Sequence, residues 1–286
     1  MKPTTPARSA RTLAAPARIH SAPRPVAPRQ PQEIWQGLAL PLLAFLLLPL
    51  AALLWRAELG QLWVHLADPV AIQAIRLSLQ TTTVSALLIV LLGTPVAYLL
   101  ARRDFPLRRV VDTLIDLPTV LPPAVAGLGL LMAFGRRGWL GAPLELFGIE
   151  IAFTTVAVVL AQLFIASPFY VRAAVGGFAS IESELEQAAS LDGASQWQVF
   201  RFITLPLVRM TLLSGLVMSW ARALGDFGAT ILFAGNFPGR TQTMPLAIYL
   251  GFEMDLDVAL ALSVILIGCA FLVLMVVKWL LAGERE

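Results

Sequence analysis

Few residues of this chain could do covalent or metal chemistry. His20 and His65 are the only histidines and lie far apart, and Cys269 is the only cysteine. The chain therefore supplies neither a His/Cys metal cluster nor an internal disulfide. No Gly-x-x-x-x-Gly-Lys-Ser/Thr stretch occurs, which excludes ATP binding by that loop. Glu253, Asp255 and Asp257 alternate ahead of an apolar run. No glycine turns a calcium loop after them and no bidentate Glu closes one, so they read as a solvated face. Two features remain. Arg222 and Asp226 lie four residues apart inside an apolar run, where a charge is costly and marks a functional position by default. On one helix they face each other and can pair; a structural or hinge pair ranks ahead of direct contact between Arg222 and an anion, with Gly225 and Gly228 permitting close packing or bending. The second feature is a polar, helix-forming segment from Glu186 to Pro206, set between apolar runs. It reads as a segment outside the bilayer, where a partner protein or the membrane surface meets it.

The elements that position these residues are membrane helices. The chain has 286 residues, 58% of them hydrophobic and 14% charged, with mean hydropathy +0.77. A soluble domain of this length would expose more charge. The apolar residues fall in runs near the ~20 residues that a helix needs to cross the hydrocarbon core. They predict spans over residues 34–55, 77–101, 111–134, 151–175, 210–234 and 258–277, and an all-α polytopic membrane fold with six transmembrane helices. Residues 1–33 are rich in Pro, Ala and Arg with no acid before Glu33, and read as a disordered basic tail; an organellar transit peptide would share the bias, but this stretch lacks the amphipathic helical pattern of one and prolines punctuate it. Arginines concentrate in the tail, in the loop holding Arg102, Arg103, Arg108 and Arg109, and around the polar segment with Arg172, Arg201 and Arg209. By the positive-inside rule both termini and the polar segment are cytosolic.

Within that segment, residues 181–189 favour helix, with Glu182, Glu184 and Glu186 near its start, where the helix dipole favours acids. Gly193 bends or breaks the helix. Ser195 can cap a second helix from Gln196 to about Phe202, ending before Pro206. Ala188, Ala189, Gly193 and Ala194 leave a shallow surface for another protein; an interfacial helix that only anchors the loop fits the spacing equally. The third span carries Pro118, Pro122 and Pro123 beside Gly127 and Gly129. It is either a bending element lining a pathway, with Thr119 its nearest polar group, or a packing kink.

Gln187-Ala188-Ala189, three residues, Gly193, nine residues, Ile203, one residue, then Leu205-Pro206 resembles the cytosolic loop of ABC importer permease subunits, whose pattern begins Glu-Ala-Ala. Gln187 stands in place of that Glu, and the acidic contact is expected to shift to Glu186. The resemblance covers the six-span layout and implies a permease domain at 34–281 of the type I ABC importer class, with a coupling segment at 182–206 between spans four and five that docks on a cytosolic ATPase. It assigns coupling to Glu186, Gln187, Ala188, Ala189, Asp192, Gly193, Ala194, Ile203, Leu205 and Pro206. The run from Ala221 to Thr230, followed by Asn236-Phe-Pro-Gly-Arg-Thr241, is similar to molybdate permease subunits, with Asp226 where members usually carry Glu; sulfate and tungstate permeases share the layout.

The resemblance implies a non-enzymatic pore subunit in a bacterial inner membrane, moving a tetrahedral oxyanion inward by alternating access. It implies a homodimer served by two ABC ATPase subunits and an extracytosolic oxyanion-binding protein, with Arg136, Arg137 and residues 235–244 facing the latter. ATP and Mg would be bound by the ATPase, no cofactor by this chain, and no nucleic acid is involved. Arg222, Gly225, Asp226, Thr119 and Pro122 are the pathway or hinge candidates. An ion-coupled carrier or channel, with Arg222, Asp226 and Asp116 as relay, leaves residues 187–206 unexplained. A membrane-embedded enzyme fails for want of a catalytic cluster.

Overall fold

The computed structural model describes residues 32–57, 60, 64–65 and 67–282; the tail expected over residues 1–33 falls almost wholly outside them, as does His20. The chain forms two compact units that divide after Pro49. The first contains most of α1 (Gln32–Arg56), an apolar helix with Pro41 and Pro49 inside it. The second, from Leu50 onward, carries everything that follows.

The second unit begins with α2 (Pro69–Arg102), 34 residues long, or about 51 Å at 1.5 Å per residue. It starts eight residues earlier than hydropathy predicts. Asp68 caps it by accepting from the amides of Val70 at 2.7 Å and Ala71 at 3.4 Å, and Pro69 occupies the first helical position, where its missing N–H costs nothing. Ala71 and Ala74 then bury against Leu224, Met244 and Leu262, so polar Gln73 and Arg76 did not mark a connector.

The third span is not one helix. α3 (Arg108–Val120) and α4 (Pro123–Phe134) meet at a bend of 118°. Leu121 and Pro122, both extended, each precede a proline, which disfavours helix at both positions. The bend exceeds a packing kink. α5 (Gly141–Glu145) is a single turn.

α6 (Thr155–Ala179) is the hub. Ala157, Ala161, Ala166 and Ala174 are fully buried, and these small side chains let neighbouring backbones approach. Hydrogen bonds tie its neighbours to it: the Ser85 hydroxyl of α2 donates to the Val159 carbonyl at 2.9 Å, and Thr94 and Tyr170 share a bond of 2.6 Å. From the other side the Ser219 hydroxyl donates to the Ala166 carbonyl at 2.9 Å.

The polar segment forms α7 (Ser183–Leu191) and α8 (Gln196–Val199). The second helix does not stop before Pro206. It widens into a π turn over Phe200–Thr204 and continues as α9 (Leu205–Leu224), with Pro206 in the first turn. The wide turn accommodates a residue that cannot donate to the ladder.

α9 ends at Leu224, and α10 (Gly228–Ala234) begins after a break, so the fifth span is also broken. α11 (Met244–Met254) lies where the sequence reads as loop, and α12 (Leu256–Ala282) closes the chain. Among the described residues five helices are long and apolar enough to cross a membrane, and the bent α3–α4 pair makes six. The acids before the last span are exposed, and Asp255 caps α12 through the amides of Asp257 and Val258.

The two broken spans touch at their breaks. A Cβ on Gly228 would lie 2.8 Å from Pro123 Cβ, and one on Gly127 would lie 2.7 Å from the Ala229 carbonyl oxygen. Only glycine allows this approach. Ala126, Ala229, Phe233 and Ala234 join Ala157, Val158 and Ile165 of α6 in one buried cluster around it.

Candidate functional site

The polar segment is built as a presented surface on a fixed base. α7 closes with a full Schellman motif: the Ala194 amide donates to the Ala189 carbonyl at 3.0 Å and the Gly193 amide to the Ser190 carbonyl at 3.1 Å. Gly193 takes φ +92°, the left-handed value that this motif requires and glycine alone adopts without strain. Ser195 then starts α8 with a reciprocal capping box. Its hydroxyl accepts from the Gln198 amide at 3.3 Å, and its own amide donates to the Gln198 side chain at 2.8 Å. The bend read from Gly193 and the cap read from Ser195 are both present.

The base is held by Glu186. Its Oε1 accepts from Arg102 Nη2 of α2 at 3.2 Å and from the Thr204 hydroxyl of the π turn at 2.7 Å, while Arg102 Nη1 donates to the Ile181 carbonyl at 3.2 Å. Glu186 thus points inward and is occupied within the chain, against the expectation that it offers the acidic contact to a partner. Gln187, Ala188, Asp192 and Gly193 form the exposed side, whereas Ala189, Ala194, Ile203 and Leu205 are half-buried and Pro206 is exposed. Beneath them Tyr98 meets Phe178 and Phe200 edge-on, at 5.4 and 5.3 Å between ring centres. Leu191, Trp197 and Phe202 project outward, Leu191 with 88% of its surface free. The segment thus exposes three large apolar side chains, one on α7, one on α8 and one on the π turn, above a base held by these bonds.

Glu186→Ala leaves Arg102 without its carboxylate partner. The expected cost is about 2 kcal/mol of local stability, read as a roughly thirtyfold rise in amide hydrogen exchange over α7 and α8 with the spans unchanged. Unaltered exchange there would show that the seat does not depend on this bond.

The expected pair Arg222–Asp226 does not form. Helix α9 ends at Leu224, so the four-residue spacing does not place the two on one helical face. Asp226 is buried and instead caps α10, its Oδ2 accepting from the Thr230 amide at 3.1 Å and hydroxyl at 2.8 Å; Oδ1 has no hydrogen-bond partner among the described residues. Arg222 lies in the last turn of α9, where the helix dipole favours a cation, and makes no ion pair among the described residues. Gly225 ends α9 with ordinary negative φ. Thr119 donates to the Asp116 carbonyl at 2.7 Å at the end of α3, and Pro122 stands exposed at the bend.

At the end opposite the polar segment, residues 235–243 make a tight knot. The amides of Arg240, Thr241 and Gln242 converge on the Phe237 carbonyl, and the Thr155 hydroxyl of α6 donates to the Arg240 carbonyl at 2.9 Å. Gly235 and Gly239 hold positive φ. A cavity of about 420 Å³ lies beside it, lined by Arg136, Glu150, Phe237 and Arg240 among others, with Arg136 paired to Glu150 at 2.8 Å.

Sequence reading missed one cluster. Arg172, counted there as a loop charge, lies within α6 and grips Asp112 and Asp116 of α3 at 2.5–2.8 Å. The signal was available: a cation inside the fourth span and two acids four residues apart at the head of the third must find partners.

Two broken spans that touch at their breaks, packed on one long buried helix and followed by an exposed polar segment, make a membrane fold with helices that can bend against one another. Comparison with known proteins agrees. Residues 90–283 match the family of binding-protein-dependent transport system inner membrane components, and the chain belongs to that family. It is 42% identical over 248 residues to the molybdenum transport system permease protein of Mycobacterium tuberculosis, covering 86% of this chain and 94% of that one. It is 37% identical over 220 residues to the sulfate transport system permease protein CysW of Synechococcus elongatus, covering 77% of each. The fold matches a crystal structure of a bacterial alginate ABC transporter in complex with its alginate-loaded periplasmic protein, at TM-score 0.66 and 20% identity, covering 87% of this chain and 91% of that one. The chain is a permease subunit of a binding-protein-dependent importer, a transport subunit and not an enzyme.

Proposed function

We propose that this chain forms the membrane pore of an ATP-driven molybdate importer. Residues 34–281 are the permease domain, and residues 182–206 are the coupling segment that docks on the ATPase. The observation that carries the reading is the seated segment itself, with its Schellman turn at Gly193 and its outward Leu191, Trp197 and Phe202. Its likeness to a molybdate permease over nearly the whole of that relative supports the cargo. Both termini and the segment are cytosolic, because Arg102, Arg103, Arg108, Arg109, Arg201 and Arg209 gather at that end. Two copies related by a two-fold axis enclose the pathway, two ATPase subunits bind ATP and Mg, and a loaded binding protein docks at the end that bears Arg136, Arg137 and the 235–243 knot. Sulfate is the second reading, supported by the likeness to the sulfate permease.

Arg222 makes no ion pair among the described residues, which supports ranking anion contact ahead of pairing and reading Arg222 as the pathway cation. Vesicles reconstituted with this chain, its ATPase and its binding protein take up molybdate only with ATP, and unlabelled sulfate competes weakly. Arg222→Gln lowers uptake by about ten- to a hundredfold, the loss expected for one charge-assisted contact of about 1.5–3 kcal/mol, with complex yield preserved. Uptake by this chain alone, without ATPase, would overturn the assignment. Preferential uptake of sulfate would move the cargo to the second reading.

A further inference from the structure

We propose that Arg172 is the positioning residue that carries motion of the coupling segment into the broken third span. The inference rests on the coupling reading above and adds the route within the chain. Arg172 lies on α6, two turns before that helix ends and leads through Ile181 into α7. Its Nε donates to Asp116 Oδ1 at 2.6 Å, and Nη2 donates to Asp116 Oδ2 at 2.5 Å and to the Asp112 carbonyl at 2.8 Å. Nη1 donates to Asp112 Oδ1 at 2.6 Å. Four N–H groups of one planar fork therefore hold two side chains and one backbone carbonyl of α3, a geometry that an ammonium cannot reproduce.

α3 has few other holds. Pro118 is its one buried residue among those described, and Ile115 is its apolar contact with the cluster around Tyr170 and Ala174 of α6. Its entry is a non-helical joint at Leu107, φ +72°, and its exit is the extended pair Leu121 and Pro122. Between these joints α3 is a lever, and Arg172 fixes it to the helix that leads into the coupling segment. Beyond the exit joint Pro123 meets Gly228, so a shift of α3 reaches the break beside Arg222.

Charge and exposure define what the cluster is for. One cation faces two carboxylates, so the cluster repels an oxyanion and is no cargo site. The Arg172, Asp112 and Asp116 side chains keep 35%, 48% and 47% of their surface. Solvent-screened pairs of this kind contribute little to stability; their value here is direction, and they can open and close.

The test uses the complete complex of permease, ATPase and binding protein in vesicles, reading molybdate transported per ATP hydrolysed. Arg172→Gln is expected to lower that ratio about tenfold or more, within the range of measured coupling between sites. Arg172→Lys falls between it and the parent. The triple variant Arg172→Gln, Asp112→Asn, Asp116→Asn has no unpaired charge and assembles even if Arg172→Gln does not; it remains uncoupled. Restoration of the ratio in the triple variant, or a parental ratio in Arg172→Gln, would overturn the inference. If the parent complex itself moves no molybdate with ATP, the coupling reading fails instead, before any variant is compared.

Discussion

Gly193→Val is expected to abolish productive coupling while the permease still folds. Gly193 sits at φ +92° with no heavy atom within 4 Å of where a Cβ would stand, so the penalty is purely conformational. A β-branched residue in the left-handed region is strained by about 1–2 kcal/mol or more. The chain escapes by opening the turn, which breaks the bonds from Gly193 to Ser190 and from Ala194 to Ala189 and re-aims α7 against α8. ATP hydrolysis should then lose its stimulation by loaded binding protein, and uptake should fall by about tenfold or more. Gly193→Asn is the control, because asparagine tolerates left-handed backbone and should retain most uptake. Equal uptake by the Val and Asn variants would show that the turn is irrelevant to coupling.

The second large effect is expected at Gly127. Its Cβ would lie 2.7 Å from the carbonyl oxygen and 2.9 Å from the Cα of Ala229. These are backbone atoms, so no side chain can swing aside. Gly127→Leu must push α10 off α4 at the point where the two broken spans touch. Overpacking of this kind costs about 1–3 kcal/mol or more, or roughly 6–12 °C in the midpoint of thermal unfolding at the upper end. Gly129→Leu is the matched control on the same helix, with nothing within 4 Å of its Cβ. Equal losses in the two variants would mean that the close approach of α4 to α10 is not what Gly127 provides.

Both sites were legible in part. Gly193 and Ser195 announced a bend and a cap because each performs a local task that few residue types can do. The apolar runs announced the spans because burial in lipid demands length. Failures came where tertiary packing outweighed local pattern. Residues 69–76 read as a connector because Gln73 and Arg76 are polar, yet Ala71 and Ala74 beside them are buried. The Arg222–Asp226 pair assumed helical spacing across residues where the helix ends. α11 went unseen because Pro245 and the neighbouring Arg240 and Asn236 resemble loop, although Pro245 stands in the first helical turn. The inward turn of Glu186 depends on Arg102 and Thr204, one distant in sequence and the other across a bend, and no local pattern shows it.

The π turn at Phe200–Thr204 has a geometric consequence of its own. It houses one residue more than an α turn, and each residue of an α-helix subtends about 100°. Every side chain from Leu205 to Leu224 is therefore out of step with α8 by about that angle, although the helix runs unbroken from Gln196. The end that carries the polar segment and the end that bears Arg222 are indexed separately, as two gears on one shaft with a slipped tooth between them. The slack lies beside Thr204, where Glu186 is anchored.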